Sequence, residues 1–415
     1  VFGSRLRPHR TKQDARNRRS LLGCFLAFAL AVAATTSARS QPAEEGNAPV
    51  ADGASAQRLE GVRTPATENG FRFLDQVIAR GTITRLYLLT SESFAGSRVE
   101  TPIVVIHGQQ PGPKICIVAG IHGDEVNGVE VVRRAVASVS PASLRGTVIA
   151  VPIANLSAFR RGSRYLPDRR DLNRYFPGRL LGSSASRIAF GLFSQVIQHC
   201  EAVVDLHTGS FHRTNLHQLR ADLSNPATVQ LAADFGAAFV VNSAAREGTL
   251  RRASTDEGIP AITVEAGQST LFDEGQVLEA LAGILRLLRA RGMIETPEAP
   301  PISESPMAFL GTRWVRADQG GVLVSRVELG QQVQAGQMLG TISDPLSDEV
   351  EAVIAPVSGR LLGMALDQVV MPGFAAYHIG FDARPFDRMI VAPTTRQNVR
   401  EVTEAEGLDL EERPE

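Results

Sequence analysis

Lysine is almost absent from this chain of 415 residues. Only Lys12 and Lys114 occur, and arginine supplies every other basic side chain. We attribute this bias to the genome rather than to function. The formal net charge of −1 argues against general nucleic-acid binding. The hydrophobic fraction of 43% is ample for packed cores, and the length predicts two domains rather than one.

The N-terminal region lacks an apolar run long enough for an ordinary membrane helix. Residues 21–34 are apolar, but a span needs about 20 such residues. An arginine-rich stretch precedes this run and small residues follow it, which predicts a signal peptide over residues 1–38 and an exported, periplasmic or secreted protein. The pair Arg18–Arg19 resembles a twin-arginine signal. We expect no stable membrane insertion after cleavage, with an uncleaved signal anchor as the alternative.

Cysteine is scarce as well. Besides Cys24, which lies in the predicted signal, the chain has only Cys116 and Cys200. Both lie in or beside apolar strand-like runs, where a free cysteine behaves as a small buried hydrophobic residue. An oxidising compartment would permit a disulfide, but we expect two free thiols.

Three side chains follow predicted strands and suit a metal ion. His122 and Glu125 come after the apolar run 115–119, and His207 comes after the run 202–206. Strand ends of an α/β sheet meet at the carboxyl edge, where such sheets bind ligands. Two imidazoles and a carboxylate suit a catalytic zinc that keeps a position for water. The sequence therefore predicts one Zn²⁺ per chain on these residues.

Each of these assignments has an ordinary alternative. A His-x-x-Glu pair also occurs by chance on solvated surfaces. Asp205 shares a strand face with His207, so it is either a partner of that imidazole or a capped loop residue. Glu265 follows the strand-like run 261–264, so it lies either at the same carboxyl edge of the sheet as the other candidates or at the start of the next helix as its cap. The remaining histidines are expected to be surface or hydrogen-bonded residues: His107, His199, His212, His217 and His378.

The pattern along the chain predicts an α/β fold with a smaller C-terminal all-β domain. Strand-like and helical runs alternate over residues 70–296, which predicts a mostly parallel sheet flanked by helices and a catalytic domain. Residues 39–69 form a polar linker. Beyond a proline-rich boundary, residues 305–390 have short apolar runs separated by glycines and resemble a lipoyl-type β-barrel. That region contains no lysine to carry a cofactor. Residues 391–415 form an acidic tail.

Four short segments together resemble one family. They occur in register within residues 70 to 390, and the chain is similar there to the succinylglutamate desuccinylase/aspartoacylase family of the zinc carboxypeptidase-like superfamily. The segments are Gly-Ile-His-Gly-Asp-Glu at 120–125, Asp-Leu-Asn-Arg at 171–174, Asp-Leu-His-Thr-Gly at 205–209 and Val-Glu-Ala-Gly at 264–267.

The resemblance implies roles for individual residues. Zinc would lie on the three ligands named above, and Glu265 would be the general base. Asn173 and Arg174 would bind the substrate carboxylate. Arg164 is the best match to a further family arginine, with Arg160, Arg161, Arg169 and Arg170 as alternatives in the same segment. The C-terminal β-domain would help to shape the cleft.

The expected function is a zinc-dependent amide hydrolase that removes an acyl group from an N-acyl amino acid, by attack of a metal-bound water. One alternative is a zinc carboxypeptidase acting on short, cell-wall-type peptides, which the predicted export favours. Another is a metal-bearing binding module without turnover, against which Glu265 argues. The expected partner is a small substrate and not nucleic acid, and the sequence is compatible with an oligomer.

Overall fold

The computed structural model describes residues 70–92, 98–295 and 305–391. The predicted signal (1–38) and linker (39–69) lie outside the described residues, as does the predicted tail apart from residue 391.

The strands before residue 296 begin with a hairpin that pairs only with itself, formed by β1 and β2. Eight further strands of this region join one large sheet. The bounds are β1 (Gly70–Phe73), β2 (Gln76–Ala79), β3 (Thr82–Glu92), β4 (Arg98–His107), β5 (Gln110–Val118), β6 (Arg145–Val151), β7 (Ala202–Gly209), β8 (Arg213–Ala221), β9 (Phe239–Asn242) and β10 (Ala261–Gln268).

The helices begin where polar side chains accept hydrogen bonds from the first free backbone N–H groups. Asn225, Thr249 and Asp273 cap three of them in this way. The helices are α1 (Val126–Ser138), α2 (Leu156–Phe159), α3 (Ser184–Gln195), α4 (Pro226–Phe235), α5 (Leu250–Asp256), α6 (Glu274–Ala290) and α7 (Asp387–Val391), with 3₁₀ turns at Leu172–Arg174 and Ile197–His199.

The C-terminal region contributes strands to two sheets. Strands β12, β14, β15 and β17 form a separate four-stranded sheet, whereas β11, β13, β16 and β18 extend the large one. Their bounds are β11 (Met307–Arg316), β12 (Gly321–Ser325), β13 (Gln332–Val333), β14 (Met338–Ser343), β15 (Val350–Ile354), β16 (Gly359–Ala365), β17 (Gln368–Val370) and β18 (Ala375–Pro385). The proposed division into domains at 70–296 and 305–390 stays a prediction.

The predicted α/β class is confirmed, and the large sheet is mixed rather than mostly parallel. It has twelve strands in the order β13-β16-β18-β11-β9-β8-β10-β7-β5-β6-β4-β3. Strands β6, β5, β7 and β10 run parallel at its centre. Strand β8 is antiparallel to β10 and also pairs with β16, so β8, β9, β11, β18 and β16 close a ring. Through this ring the C-terminal strands are joined to β8, the neighbour of the central strand β10.

Helices cover both faces of the central strands. Val131 of α1, Phe235 of α4 and Ile284 of α6 belong to the core on one face. Ile188 of α3 and Leu250 of α5 belong to the core on the other. Burying each such side chain stabilises the fold by about 1.5–3 kcal/mol. Strand β7 is buried along its whole length, as expected for a central parallel strand.

The expectation of two free thiols is wrong. Cys116 of β5 and Cys200, which precedes β7, form a disulfide with their Cα atoms 5.7 Å apart. The two strands are adjacent, with Cys116 paired with Val203. That pairing brings together residues 84 positions apart, and no local sequence pattern carries this information.

Within the described residues, none of the helices has both the length and the apolar character that crossing a bilayer requires.

Candidate active site

The three side chains predicted as metal ligands lie together at the carboxyl ends of β5 and β7. His122 lies in the turn after β5, Glu125 is the residue immediately before α1, and His207 belongs to β7. The His122 Nδ1 is 2.8 Å from Glu125 Oε1, and the His207 Nδ1 is 2.9 Å from Glu125 Oε2. All three residues are buried, which excludes a chance pair on a solvated surface.

An aspartate lies beside each imidazole. The His122 Nε2 is 3.0 Å from Asp171 Oδ1, and the His207 Nε2 is 2.9 Å from Asp205 Oδ2. Asp205 thus contacts the imidazole, as the first of its two expected roles requires. In the neutral tautomer with the proton on Nε2, next to the aspartate, the Nδ1 of each imidazole has a free lone pair.

The donor set fits a divalent cation. The Nδ1 atoms of His122 and His207 are only 3.2 Å apart, and the Glu125 carboxylate lies beside both. Three lone-pair donors thus converge on one buried point. A bound cation such as zinc would offset the repulsion between these donor atoms.

The charges of this cluster are strongly coupled. Burial raises the pKa of the Glu125 carboxyl, but His122 and His207 outweigh it, so the net pKa is lowered. Burial lowers the pKa of His207, yet Asp205 and Glu125 raise it well above its ordinary value. A metal ion would therefore bind in exchange for protons on the imidazoles.

Glu265 lies next to the ligands on β10, where it pairs with His207 across the parallel ladder. Its Oε2 accepts a hydrogen bond of 2.9 Å from Asn215 Nδ2, and its Oε1 is 3.1 Å from Arg220 Nε. The alternative role as a helix cap is excluded, because Asp273 caps the following helix α6.

The predicted substrate-binding residues occupy two positions. Arg164 lies beside the ligand cluster, donating to Asp171 Oδ2 at 2.7 Å and to Glu125 Oε1 at 3.4 Å. Arg174 lies farther out, with its side chain 28% exposed and its Nη1 4.0 Å from Asp171 Oδ2. The Asn173 Oδ1 accepts from the backbone N–H of Leu250, which ties this 3₁₀ turn to α5. Their roles toward a substrate stay predictions.

These residues line one cleft of about 210 Å³. Six arginines contribute to its wall, against the three carboxylates of Glu125, Asp205 and Glu265, so basic side chains outnumber acidic ones in the lining. Trp314 of β11 adds an aromatic wall from the C-terminal region. The arginines are Arg164, Arg174, Arg213, Arg220, Arg246 and Arg251.

Sequence reasoning missed several of these residues. Asp171 stands within the Asp-Leu-Asn-Arg segment, so its position next to two site residues was an available signal. Asn215 and Arg220 belong to β8 and reach Glu265 only because β8 pairs with β10. Trp314 lies on β11, which reaches the cleft because it belongs to the ring of strands formed by β8, β9, β11, β18 and β16. None of these three lies in a segment with a recognisable pattern.

The fold and the buried His-Glu-His group define an α/β protein with a candidate metal site. Residues 111–291 match the model of the succinylglutamate desuccinylase/aspartoacylase catalytic domain. The resemblance to this family that the sequence segments predicted is thereby confirmed.

Two of the three relatives described here carry the name of a deacylating enzyme. N-alpha-acetyl-L-2,4-diaminobutyric acid deacetylase from Halomonas elongata is 25% identical over 284 residues, covering 66% of this chain and 81% of that protein. The crystal structure of a succinylglutamate desuccinylase/aspartoacylase from Rhodobacter sphaeroides has a TM-score of 0.65 at 25% identity, covering 72% of this chain and 96% of that one. The ectoine utilization protein EutE (DoeB) from Ruegeria pomeroyi matches with a TM-score of 0.67 at 22% identity, covering 77% of this chain and 97% of that one.

Proposed function

We propose that this protein is a zinc-dependent amide hydrolase that removes an acyl group from an N-acyl amino acid. The observation that carries the proposal is the convergence of His122, Glu125 and His207 on one buried point, with Glu265 on the neighbouring strand. The family relationship supports the reaction class, since the Halomonas elongata relative is a deacetylase of an N-acetylated amino acid.

The residues of the cleft divide the chemistry among them. Zinc on the three ligands would supply Lewis acidity, which acidifies water and polarises the amide carbonyl. Glu265 takes a proton from the attacking water and delivers it to the leaving amine as the carbon–nitrogen bond breaks. Arg164 lies next to Glu125 and donates to the developing oxyanion. The products are the free acid and the free amino acid.

Residues of the outer cleft orient the substrate. Arg174 is partly exposed there, and its guanidinium can form a forked, charge-assisted pair with the substrate carboxylate. The turn that carries Arg174 is fixed through Asn173 and Leu250, so the anchor keeps a defined distance from the metal ligands.

We also propose that the protein is exported. The predicted signal over residues 1–38 motivates this, and the Cys116–Cys200 disulfide supports it, because disulfides persist in oxidising compartments. Export is also the feature that favours the second candidate, a carboxypeptidase for short cell-wall-type peptides, since that reaction uses the same ligands and base.

A substrate panel separates the two candidates. Zinc-loaded protein is mixed with N-acetyl, N-succinyl and longer N-acyl amino acids and with short peptides, and the free amines released are identified. We expect turnover of N-acyl amino acids. Release of C-terminal residues from peptides without any deacylation would overturn the proposal in favour of the carboxypeptidase.

A further inference from the structure

Both oxygens of the Glu265 carboxylate are held by β8. Asn215 donates to Oε2 and Arg220 contacts Oε1, at 2.9 and 3.1 Å. Asn215 is only 6% exposed, so its amide has little freedom to turn away. If Asn215 released Oε2, the Arg220 guanidinium could take both oxygens in a forked pair. That pair would occupy the lone pairs that a general base needs.

The space for Asn215 comes from a glycine of the C-terminal region. Asn215 pairs across the ladder with Gly363 of β16. A Cβ atom added at Gly363 would lie 2.5 Å from Asn215 Oδ1, whereas its other nearest neighbours, Thr214 O and His378 Cβ, would be at 3.5 and 3.6 Å. The backbone of Gly363 is not in the left-handed region, so its main steric demand is the room that Asn215 occupies.

We propose that Asn215 is a positioning residue for Glu265, and that Gly363 keeps Asn215 in place from the C-terminal strand. Asn215 holds Oε2 away from Arg220, which leaves the carboxylate oriented for proton transfer. The C-terminal β-region thereby supports the base as well as lining the cleft. The inference rests on the proposed function, in which Glu265 is that base.

Variants at Asn215 test the hydrogen bond. Asn215→Ala removes it, and Asn215→Asp keeps the shape but replaces the donor with an anionic oxygen. Each should lower kcat by roughly 10- to 100-fold while KM changes by less than about threefold, the pattern of an interaction used in the chemical step. Metal content should stay at the parent level. If Asn215 only occupies space, Asn215→Asp should keep the parental kcat, and that result would overturn the proposal.

A double-mutant cycle tests the link to Gly363. Gly363→Ala alone should lower kcat by a similar factor, because the new Cβ displaces the amide. In an Asn215→Ala background it should cost nothing further. Gly320→Ala is the matched control, since its Cβ would come no closer than 3.3 Å to another atom, and it should keep parental kcat. Equal losses from Gly363→Ala in both backgrounds would refute the link.

Crystal structures of the parent, Asn215→Ala and Gly363→Ala supply a readout independent of turnover. We expect the Glu265 carboxylate to move into a forked pair with Arg220 in both variants. An unmoved carboxylate in both would overturn the inference. A parent without turnover of any N-acyl amino acid would instead overturn the proposed function, and the structures would still decide the positioning role.

Discussion

At the residue scale, we propose that Glu265 acts in the chemical step rather than in substrate binding. It pairs with the candidate metal ligand His207 across the ladder and lies in the same cleft. Glu265→Gln keeps the size of the side chain but removes its basicity. We expect metal content and KM to stay near parental values while kcat falls by at least about 100-fold. Elemental analysis and steady-state kinetics check this, and a near-parental kcat would return Glu265 to a structural role.

Arg174 and Arg164 are both arginines of the cleft but have different surroundings. Arg174 is partly exposed, whereas Arg164 bridges Asp171 and Glu125. Arg174→Lys keeps the charge and loses the fork, so it should raise KM for carboxylate substrates by roughly 10-fold, the scale of one charge-assisted contact. Arg164→Lys should chiefly lower kcat.

The matched measurement compares kcat/KM for the acid and amide forms of one substrate in both variants. We expect the preference for the acid to fall in Arg174→Lys. If that preference survives there and collapses in Arg164→Lys, Arg164 is the anchor and the assignment of Arg174 is wrong.

At the scale of elements, β8 carries an acid-sensitive histidine on the face away from the site. His217 was expected to be at the surface or hydrogen-bonded, but it is buried, and neither ring nitrogen has a hydrogen-bond partner among the residues that the structure describes. Burial, with Arg286 nearby, lowers its pKa to about 4. The folded state therefore resists protonation of His217, while the unfolded state takes up a proton below its ordinary pKa.

The stability contributed by neutral His217 is present above about pH 6.5 and is lost as the pH falls toward 4. Between pH 7.5 and pH 4.5 the free energy of unfolding should therefore fall by roughly 2–3 kcal/mol less in His217→Gln than in the parent. Urea unfolding at pH 7.5 and pH 4.5 measures it, with His212→Asn, at an exposed turn position, as the control. Identical pH dependence of unfolding in His217→Gln and the parent would contradict the assignment.

The disulfide links β5 to the residue two positions before β7, and the candidate ligands lie at the carboxyl ends of these two strands. It closes a loop with a sequence separation of 84 residues. Replacing both Cys116 and Cys200 with alanine should lower the free energy of unfolding by about 2–4 kcal/mol. Urea unfolding without reductant measures this, and a reduced parent should resemble the variant. An unchanged midpoint would show that the disulfide adds nothing to stability.

At the scale of the whole molecule, local patterns predicted that the candidate ligands and the candidate base would lie together. His207 and Glu265 lie near the carboxyl ends of β7 and β10, and His122 lies in the turn after β5. A parallel sheet brings these positions to one edge. The disulfide, Asn215 and Trp314 could not be predicted in this way. They depend on which strands are neighbours, and in particular on the pairing of β8 with both β10 and β16. Such pairing is decided by packing between distant segments.

The pairing of distant segments also explains why the large sheet is mixed. Alternating strand-like and helical runs predicted a mostly parallel sheet, and the centre follows that pattern. The edges do not, because β3 and β4 form an antiparallel hairpin and the C-terminal strands are added to the other side. The proposed signal, which lies outside the described residues, stays a prediction.

The central claim is that deacylation depends on a metal held by His122, Glu125 and His207. The most direct measurement follows turnover of an N-acyl amino acid while a chelator removes the metal and zinc is then restored. We expect about one zinc per chain, loss of turnover on chelation, recovery with one equivalent of zinc, and neither metal nor turnover in His207→Ala. Full turnover by protein shown by elemental analysis to be metal-free would contradict it.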